Sequence, residues 1–266
     1  MPYDIRFQNY TFKHSVDERP FTGVDSFAEH FHTSYELLYF LQGDADFVVQ
    51  HEQYKLRPHN LLVIQPGAHH HLVVNSQKRY ERVVLRFDAQ GVPFALRGEL
   101  AGLPNVFYIK DTRLSKEILR LDAYCAEIGP ALAPVVLRGA LSIILAYLLC
   151  GKDLEQRADY TDVQVKQITD FISDHLSEIG TVNDVCRSLH MSKTSVTQLF
   201  GERLQTPVMA YIRTQKCMRA HALLASGAPA TSVYLQCGFN TYSSFYRAYS
   251  AIFGHPPSAT QSDKFD

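Results

Sequence analysis

The chain has 266 residues, which is enough for two ordinary domains or for one unusually large domain. Its composition, with 46% hydrophobic and 20% charged residues, is that of a globular protein and excludes a low-complexity chain. The formal net charge of −1 favours no class of partner. The five cysteines are scattered without a Cys-x-x-Cys pair, which favours reduced thiols over a disulfide framework or a zinc site.

Hydropathy gives an expectation about where the protein resides. The first residues lack the apolar core of a signal peptide. The longest apolar run, residues 139–151, is too short to span a bilayer and directly follows Arg138. We therefore expect a cytoplasmic protein that does not associate with a membrane.

Short β-rich runs separated by turn residues follow one another between residues 35 and 87. Gly43-Asp44, Pro58 and Pro66-Gly67 interrupt runs that are rich in Leu, Val, Tyr and Phe. Closely spaced short strands of this kind predict an antiparallel sandwich or barrel. We assign residues 1–110 to an antiparallel β-barrel domain.

The hydrophobic period changes after Asp111 to that of helices. The first predicted helix is amphipathic and ends near Gly129-Pro130. The second follows Pro134 and is apolar on every side, which indicates a helix that is buried all round. We favour a subunit interface over complete burial within the domain. The region 111–150 is therefore predicted to form a homodimer, with Ile144 and Leu148 taken as outward-facing.

A polar segment, residues 151–162, is the candidate linker to a C-terminal domain over residues 163–266. The whole chain is thus predicted to be α+β with two domains, the second all-α. The helices of the second domain are expected at about residues 163–177, 182–189, 193–203, 207–225, 230–236 and 241–253.

The first of two helix-turn-helix patterns lies at residues 185–200. A short helix ends near Leu189, and Ser192 is a natural N-cap for a second helix. The inward face of that second helix would carry an apolar stripe of Val196, Leu199 and Phe200. The outward face would carry hydrogen-bonding groups, in the geometry of a helix that enters the major groove: Lys193, Thr194, Thr197 and Gln198.

The same layout returns about fifty residues later. A short helix meets the turn Gly238-Phe239, and a second helix starts near Thr241. Its inward residues would be Phe245, Tyr249 and Phe253, and its outward residues would be Tyr242, Ser243 and Arg247. Between residues 185 and 258 there are seven basic residues and one acid, as expected for a phosphate-binding module.

Residues 164–258 resemble the C-terminal domain of the AraC/XylS family of bacterial regulators. The resemblance is carried by Leu199-Phe200, Tyr211-Ile212-Arg213, Ala220 with Leu223-Leu224, Gly238-Phe239, Ser244-Phe245-Tyr246-Arg247 and Phe253-Gly254-His255-Pro256-Pro257. It implies two recognition helices that grip successive major-groove segments about 34 Å apart on one face of the duplex.

By position, the resemblance implies one set of base-edge readers in each unit and a phosphate contact for Lys193. The readers are Thr194, Thr197 and Gln198 in the first unit and Tyr242, Ser243 and Arg247 in the second. The sequence departs from the family pattern at His190, where a turn glycine is frequent, at Tyr234 and at Ser250.

The β-rich half resembles a cupin, since His30, His32 and Glu36 nearly match the HxH-x3-E-x6-G pattern and His70 fits the final histidine. AraC-family sensor domains look like this as well. These side chains could bind a small polar effector such as a sugar, bind a divalent metal, or serve as structural hydrogen-bonding groups. We favour the effector, and we expect neither a metal nor another cofactor.

Two functions follow from the two halves. One is a transcription regulator with an N-terminal sensor, and the other is a cupin-type metal enzyme with a helical appendage. The tandem helix-turn-helix favours the regulator, so we expect no catalytic activity. The expected partners are double-stranded operator or promoter DNA, a small effector that could be a carbohydrate, a second copy of the chain and RNA polymerase, with activation favoured over repression.

Overall fold

The computed structural model describes residues 3–7, 10–50, 52–92, 94–129, 131–151, 154–156, 160–161, 163–204 and 206–260. The chain divides into two compact units, Met1–Tyr160 and Thr161–Asp266. The N-terminal unit is built on antiparallel sheets, and the C-terminal unit is helical. This is the predicted α+β class.

The strands of the N-terminal half are β1 (Tyr3–Phe7), β2 (Tyr10–Asp17), β3 (Gly23–His30), β4 (Tyr35–Gln42), β5 (Ala45–Val49), β6 (Glu52–Lys55), β7 (Asn60–Ile64), β8 (His70–Val74), β9 (Tyr80–Phe87), β10 (Val106–Tyr108), β11 (Glu155–Gln156) and β12 (Tyr160–Thr161). Its helices are α1 (Phe94–Ala101), α2 (Arg113–Ile128) and α3 (Ala133–Cys150). The strands predicted between residues 35 and 87 are confirmed, whereas β1 to β3 and α1 were not predicted. The short strands β11 and β12 lie within the predicted linker.

The strands form two sheets, with the orders β1-β2-β9-β4-β7-β10-β11 and β12-β6-β5-β8-β3. Within the described ranges the two sheets share no strand. The sheets are not closed into one barrel, and the unit has the predicted cupin-like antiparallel architecture. The long strands β4 and β9 pair with each other in the first sheet. Their apolar residues contribute to a hydrophobic core on each face of that sheet.

Strand β4 shows why the first sheet is buried on both faces. Successive side chains of a strand point to opposite faces. Leu37 and Tyr39 belong to the core that the sheet forms with α2 and α3, whereas Leu38 and Phe40 belong to the core between the two sheets. A strand that is covered on both sides has a continuous apolar run, as β4 does.

Helix α3 corrects one prediction, namely which of its apolar residues face outward. One face lies in the core with α2 and the sheet, and the opposite face carries exposed Val135 and Ile143. Ile144 and Leu148, expected to face outward, are 0% and 1% exposed. Periodicity could not separate the two faces because both are apolar. By length and composition α3 could also cross a membrane, but its inner face packs against the sheet as in a core helix.

The helices of the C-terminal unit are α4 (Val163–Asp174), α5 (Val182–Ser188), α6 (Lys193–Arg203), α7 (Val208–Ala225), α8 (Ala230–Gln236) and α9 (Tyr242–Phe253). The sequence-based bounds are confirmed to within three residues at each end. The N-caps are also as predicted for α6, where the Ser192 side chain accepts from the Ser195 backbone N–H, 3.0 Å away. In α9 the Thr241 side chain accepts from the Ser244 N–H at 3.2 Å.

The C-terminal unit has two separate hydrophobic cores. The first joins α4, α5 and α6 to the start of α7, and the second joins the end of α7 to α8 and α9. Tyr211 and Ile212 of α7 lie in the first core, and Cys217, Ala220 and Leu224 lie in the second. One helix thus belongs to both helix-turn-helix modules and connects them.

Candidate nucleic-acid interface and ligand cavity

Helix α6 presents one apolar and one polar face, as expected for a recognition helix. Val196 and Phe200 are fully buried in the first core, and Leu199 is half-buried. The side chains expected to meet DNA are all exposed: Lys193, Thr194, Thr197 and Gln198. The Gln198 amide donates to Glu202 Oε1 at 2.7 Å, so the acid one turn on holds this amide in the free protein.

Helix α9 is arranged in the same way. Phe245 and Tyr249 are fully buried, while the expected readers Tyr242, Ser243 and Arg247 are exposed. Arg247 Nε donates to the Ser243 carbonyl of its own helix at 3.4 Å. Tyr246 is 43% exposed beside these residues and was noticed in the sequence only as part of the family pattern. Its position four residues after Tyr242, one helical turn on, already placed it near the outward face.

Both turns contain a residue with positive φ. His190 has φ 54°, the left-handed conformation expected where the family often has glycine. Gly238 has φ 75°, and a Cβ there would lie 2.2 Å from the carbonyl oxygen of Ser177. The second turn thus packs directly on the backbone that follows α4, so a glycine is required for both conformation and space.

Lys216 connects the two modules at this contact. It is buried on α7, and its Nζ donates to the carbonyl of Ile179 at 2.7 Å and to the carbonyl of Gly238 at 2.8 Å. Burial lowers the pKa of this amine, with a smaller opposite effect from Cys237. Lys216 is therefore occupied within the fold, and its inclusion in the basic surplus for phosphate contacts was wrong. Arg187 is likewise paired, with Asp184 at 2.7 Å.

A cavity of about 280 Å³ lies between the two sheets of the N-terminal unit. Its apolar lining is Leu38, Phe47, Leu72 and Val84, and the polar lining includes Thr11, His30 and His70. Its charged lining is Asp4, Arg6, Lys13, Glu36, Arg82 and Arg86. Residues from both sheets meet here, and the cavity opens to solvent on the side of β1, where the Arg6 side chain is 77% exposed.

Glu36 is the best-connected side chain of this site. It is 3% exposed, and the same oxygen, Oε2, lies 3.0 Å from His32 Nε2 and 2.5 Å from Arg86 Nε. Burial alone would raise the pKa of Glu36, but the hydrogen bond from His32 and the charge of Arg86 lower it to about 2. Glu36 is therefore ionised and held between a histidine and an arginine.

His70 is neutral at physiological pH, because burial lowers its pKa to about 3. Its Nδ1 lies 2.8 Å from the Ala68 carbonyl, so Nδ1 carries the proton and Nε2 is an acceptor. Nε2 is buried and has no hydrogen-bond partner among the described groups. The His30 and His32 rings are centred 4.4 and 4.9 Å from the His70 ring, so the four residues expected to converge do converge.

The donor set also bears on metal binding. Ligand atoms of His32, Glu36 and His70 lie within 4.8 Å of one another, and imidazole and carboxylate are ligands that transition metals accept. A metal on His32 Nε2 would replace the contact of that nitrogen with Glu36 Oε2, whereas Arg86 can keep Oε2 while the other carboxylate oxygen serves as ligand. The residues present therefore fit a metal once the contact between His32 and Glu36 is broken.

The basic residues of the cavity were not predicted from the sequence. Alternation along β9 places Arg82, Val84 and Arg86 on one face, which was a usable signal. Arg6 and Lys13 lie on strands that were not predicted. Their approach to Glu36 depends on strand order, which periodicity does not contain.

Comparison with known proteins gives two family matches. Residues 22–123 match the AraC-like ligand binding domain, and residues 185–263 match a helix-turn-helix domain family. The uncharacterized HTH-type transcriptional regulator YfiF of Bacillus subtilis is 21% identical over 243 residues, which cover 86% of this chain and 76% of that protein.

Solved structures with similar folds include two regulators. ToxT from Vibrio cholerae has 13% identity and a TM-score of 0.39, with 94% of this chain and 97% of that chain covered. The AraC-like transcriptional activator CuxR has 15% identity and a TM-score of 0.42, with 89% of this chain and 84% of that chain covered.

Proposed function

The chain belongs to the AraC/XylS family of DNA-binding transcription regulators, and on that premise we propose that it is a sequence-specific factor that responds to a small polar effector bound between its N-terminal sheets. The observation that carries the proposal is the pair of recognition helices α6 and α9. Each has its apolar face in a core of its own and its polar face exposed.

In this proposal each recognition helix enters one major-groove segment. Thr194, Thr197 and Gln198 read base edges from α6, and Tyr242, Ser243 and Arg247 read them from α9. Lys193 contacts phosphate. Arg247 is the only arginine among these readers, and its planar fork suits the O6 and N7 atoms of guanine. Gln198 can read adenine once its hydrogen bond to Glu202 is replaced by hydrogen bonds to the base.

The ligand is proposed to bind at His30, His32, Glu36 and His70, with a carbohydrate as the first compound class to test. Glu36 and His32 offer hydrogen-bond acceptors and donors, and His70 Nε2 offers an acceptor. Alternating polar groups and apolar walls are typical of sites for small polar molecules.

The remaining elements of the proposal concern assembly and output. We propose a homodimer that forms through the exposed face of α3, activates transcription by contact with RNA polymerase and works in the bacterial cytoplasm. Val135 and Ile143 provide an apolar strip on that face. No catalytic role is proposed for the sheet unit.

Binding of the full chain to its own upstream region tests the proposed function. The affinity should fall steeply with salt, with a log–log slope of about −0.9 for each phosphate neutralised. Addition of candidate effectors to the same assay should change affinity or transcription in vitro. A slope near zero, or equal affinity for unrelated duplexes of the same length, would contradict sequence-specific DNA binding.

A further inference from the structure

The cavity between the sheets carries a surplus of positive charge. Among the described residues, its lining contains four permanently basic side chains (Arg6, Lys13, Arg82 and Arg86) against two acids (Asp4 and Glu36), a difference of two charges. Basic groups around a cleft concentrate the field and attract anions.

Strand register places three of the basic residues around one small side chain. Thr11 pairs with Arg86 on one side and with Arg6 on the other, and Lys13 follows on the same face two residues on. Because neighbouring strands lie about 4.8 Å apart, the backbones of Arg86 and Arg6 lie about 10 Å apart, on either side of Thr11. Their side chains are long enough to meet a group above the threonine, whose hydroxyl is a further donor.

The two acids of the lining do not occupy all the hydrogen-bond donors of these basic side chains. Arg6 pairs with Asp4 at 3.2 Å, but both side chains are largely exposed, and exposed ion pairs contribute little. Arg86 uses Nε for Glu36, and the other nitrogens of a guanidinium are further donors. The row Arg86–Thr11–Arg6 with Lys13 can therefore accept an anion while Glu36 stays paired.

The rest of the cavity lining is shared by apolar side chains and by His30, His70 and Arg82. Leu38 and Val84 come from the first sheet, and Phe47 and Leu72 come from the second. A ligand that fits would have a charged end toward Thr11 and a less polar body between the sheets. The volume of about 280 Å³ limits that body to a small molecule.

We propose that the effector of this protein is a small organic anion whose carboxylate or phosphate is bound above Thr11 by Arg6, Lys13 and Arg86. The proposal rests on the proposed function of the N-terminal unit as a sensor and narrows its ligand class. Among carbohydrates it selects sugar acids and sugar phosphates and rejects the neutral sugars.

Calorimetric titration of the full chain with matched probes tests the charge requirement. One set of probes shares a sugar scaffold and differs in charge: glucose, glucuronate and glucose 6-phosphate. A second set shares a six-carbon apolar chain and differs in charge in the same way: hexanol and hexanoate. Binding is expected for an anionic member and not for its neutral counterpart. The carboxylate and phosphate arms decide which anion the site prefers.

Substitution locates the site. Lys13→Gln should lower the affinity for the anion about tenfold or more, because a charge-assisted contact is lost. Thr11→Val should lower this affinity as well. Lys55→Gln is the matched control, since Lys55 is exposed on β6 and does not line the cavity. The thermal midpoint of ligand-free Lys13→Gln should match or exceed that of the wild type, because repulsion among the cations is relieved.

Three results overturn the proposal: a neutral probe that binds as well as its anion, an absence of binding by every anion, or an anion that binds Lys13→Gln and the wild type equally. Operator binding measured on the same samples separates this failure from failure of the proposed function. If operator binding is intact and responds only to a neutral compound, the anion proposal fails and the sensor function stands. If an anion binds but changes neither operator binding nor transcription, the anion site stands and the sensor function fails.

Discussion

Arg247 and Lys193 lie exposed on the two recognition helices but differ in chemistry. An arginine fork discriminates between bases, whereas an ammonium group meets phosphate as a point charge. Arg247→Ala should therefore cost about 1–3 kcal/mol at the cognate site and relax preference at one base pair. Lys193→Ala should weaken all duplexes alike and reduce the salt slope by about 1. Competition binding on a set of point-mutated operators measures both effects, and an unchanged preference in Arg247→Ala would assign Arg247 to phosphate.

Glu36 connects His32 and Arg86 through one carboxylate oxygen. Glu36→Gln removes the carboxylate that positions His32 and Arg86, so the ligand response should weaken even though the cavity gains positive charge. Operator affinity without ligand should stay the same, because the DNA-binding helices have their own cores. Titration of transcription against effector measures the response, and Glu18→Gln is the control because Glu18 is 73% exposed. Loss of ligand-free operator binding in Glu36→Gln would contradict this separation.

At the scale of elements, α7 is positioned by Lys216 as well as by its apolar residues. Lys216→Met keeps the length of the side chain but leaves the carbonyls of Ile179 and Gly238 without their donor. Stability should fall by about 1.5–3 kcal/mol, the usual contribution of a hydrogen bond to a charged group. Urea denaturation measures the change, and the exposed Lys193→Met should alter stability by less than about 0.5 kcal/mol. Equal stability of the two variants would show that the bridge does not hold the modules together.

The two faces of α3 give a matched test of dimerisation. Ile143 is 47% exposed and Ile144 is 0% exposed, although they are neighbours in the chain. Ile143→Glu should convert a dimer to a folded monomer, because it places a charge in the proposed interface. Ile144→Glu should unfold the unit, because it places a charge in the core. Sedimentation with circular dichroism distinguishes these outcomes, and a monomeric wild type at micromolar concentration would exclude this interface.

The elements differ in how much of them could be predicted from the sequence. The helices of the C-terminal unit were predictable because caps such as Ser192 and Thr241 mark their starts and one apolar stripe marks each inward face. The orientation of α3 was not, because Ile143 and Ile144 are equally apolar. The row Arg86–Thr11–Arg6 was not predictable either, because it depends on the unpredicted strands β1 and β2 and on the pairing of β2 with β9, which is distant in sequence. The convergence of His30, His32, Glu36 and His70 was predictable only through the cupin resemblance.

At the scale of the whole molecule, chemistry is divided between the two units. The N-terminal unit holds the charged cavity, and the C-terminal unit holds both recognition helices. In the proposed function the ligand and DNA bind through different residues, so each site can be altered without direct change to the other. Regulation requires that the ligand changes the free energy of DNA binding, and by linkage the operator must then change ligand affinity by the same factor.

Selection of the full chain on a randomised duplex library tests the central claim most directly. Two recognition helices in successive major-groove segments predict a bipartite consensus, with its two informative segments centred about 10–10.5 base pairs apart. Arg247→Ala should lose information at one position of one segment and keep the other segment unchanged. A consensus confined to one short segment, or no enrichment over the starting library, would contradict DNA recognition by both modules.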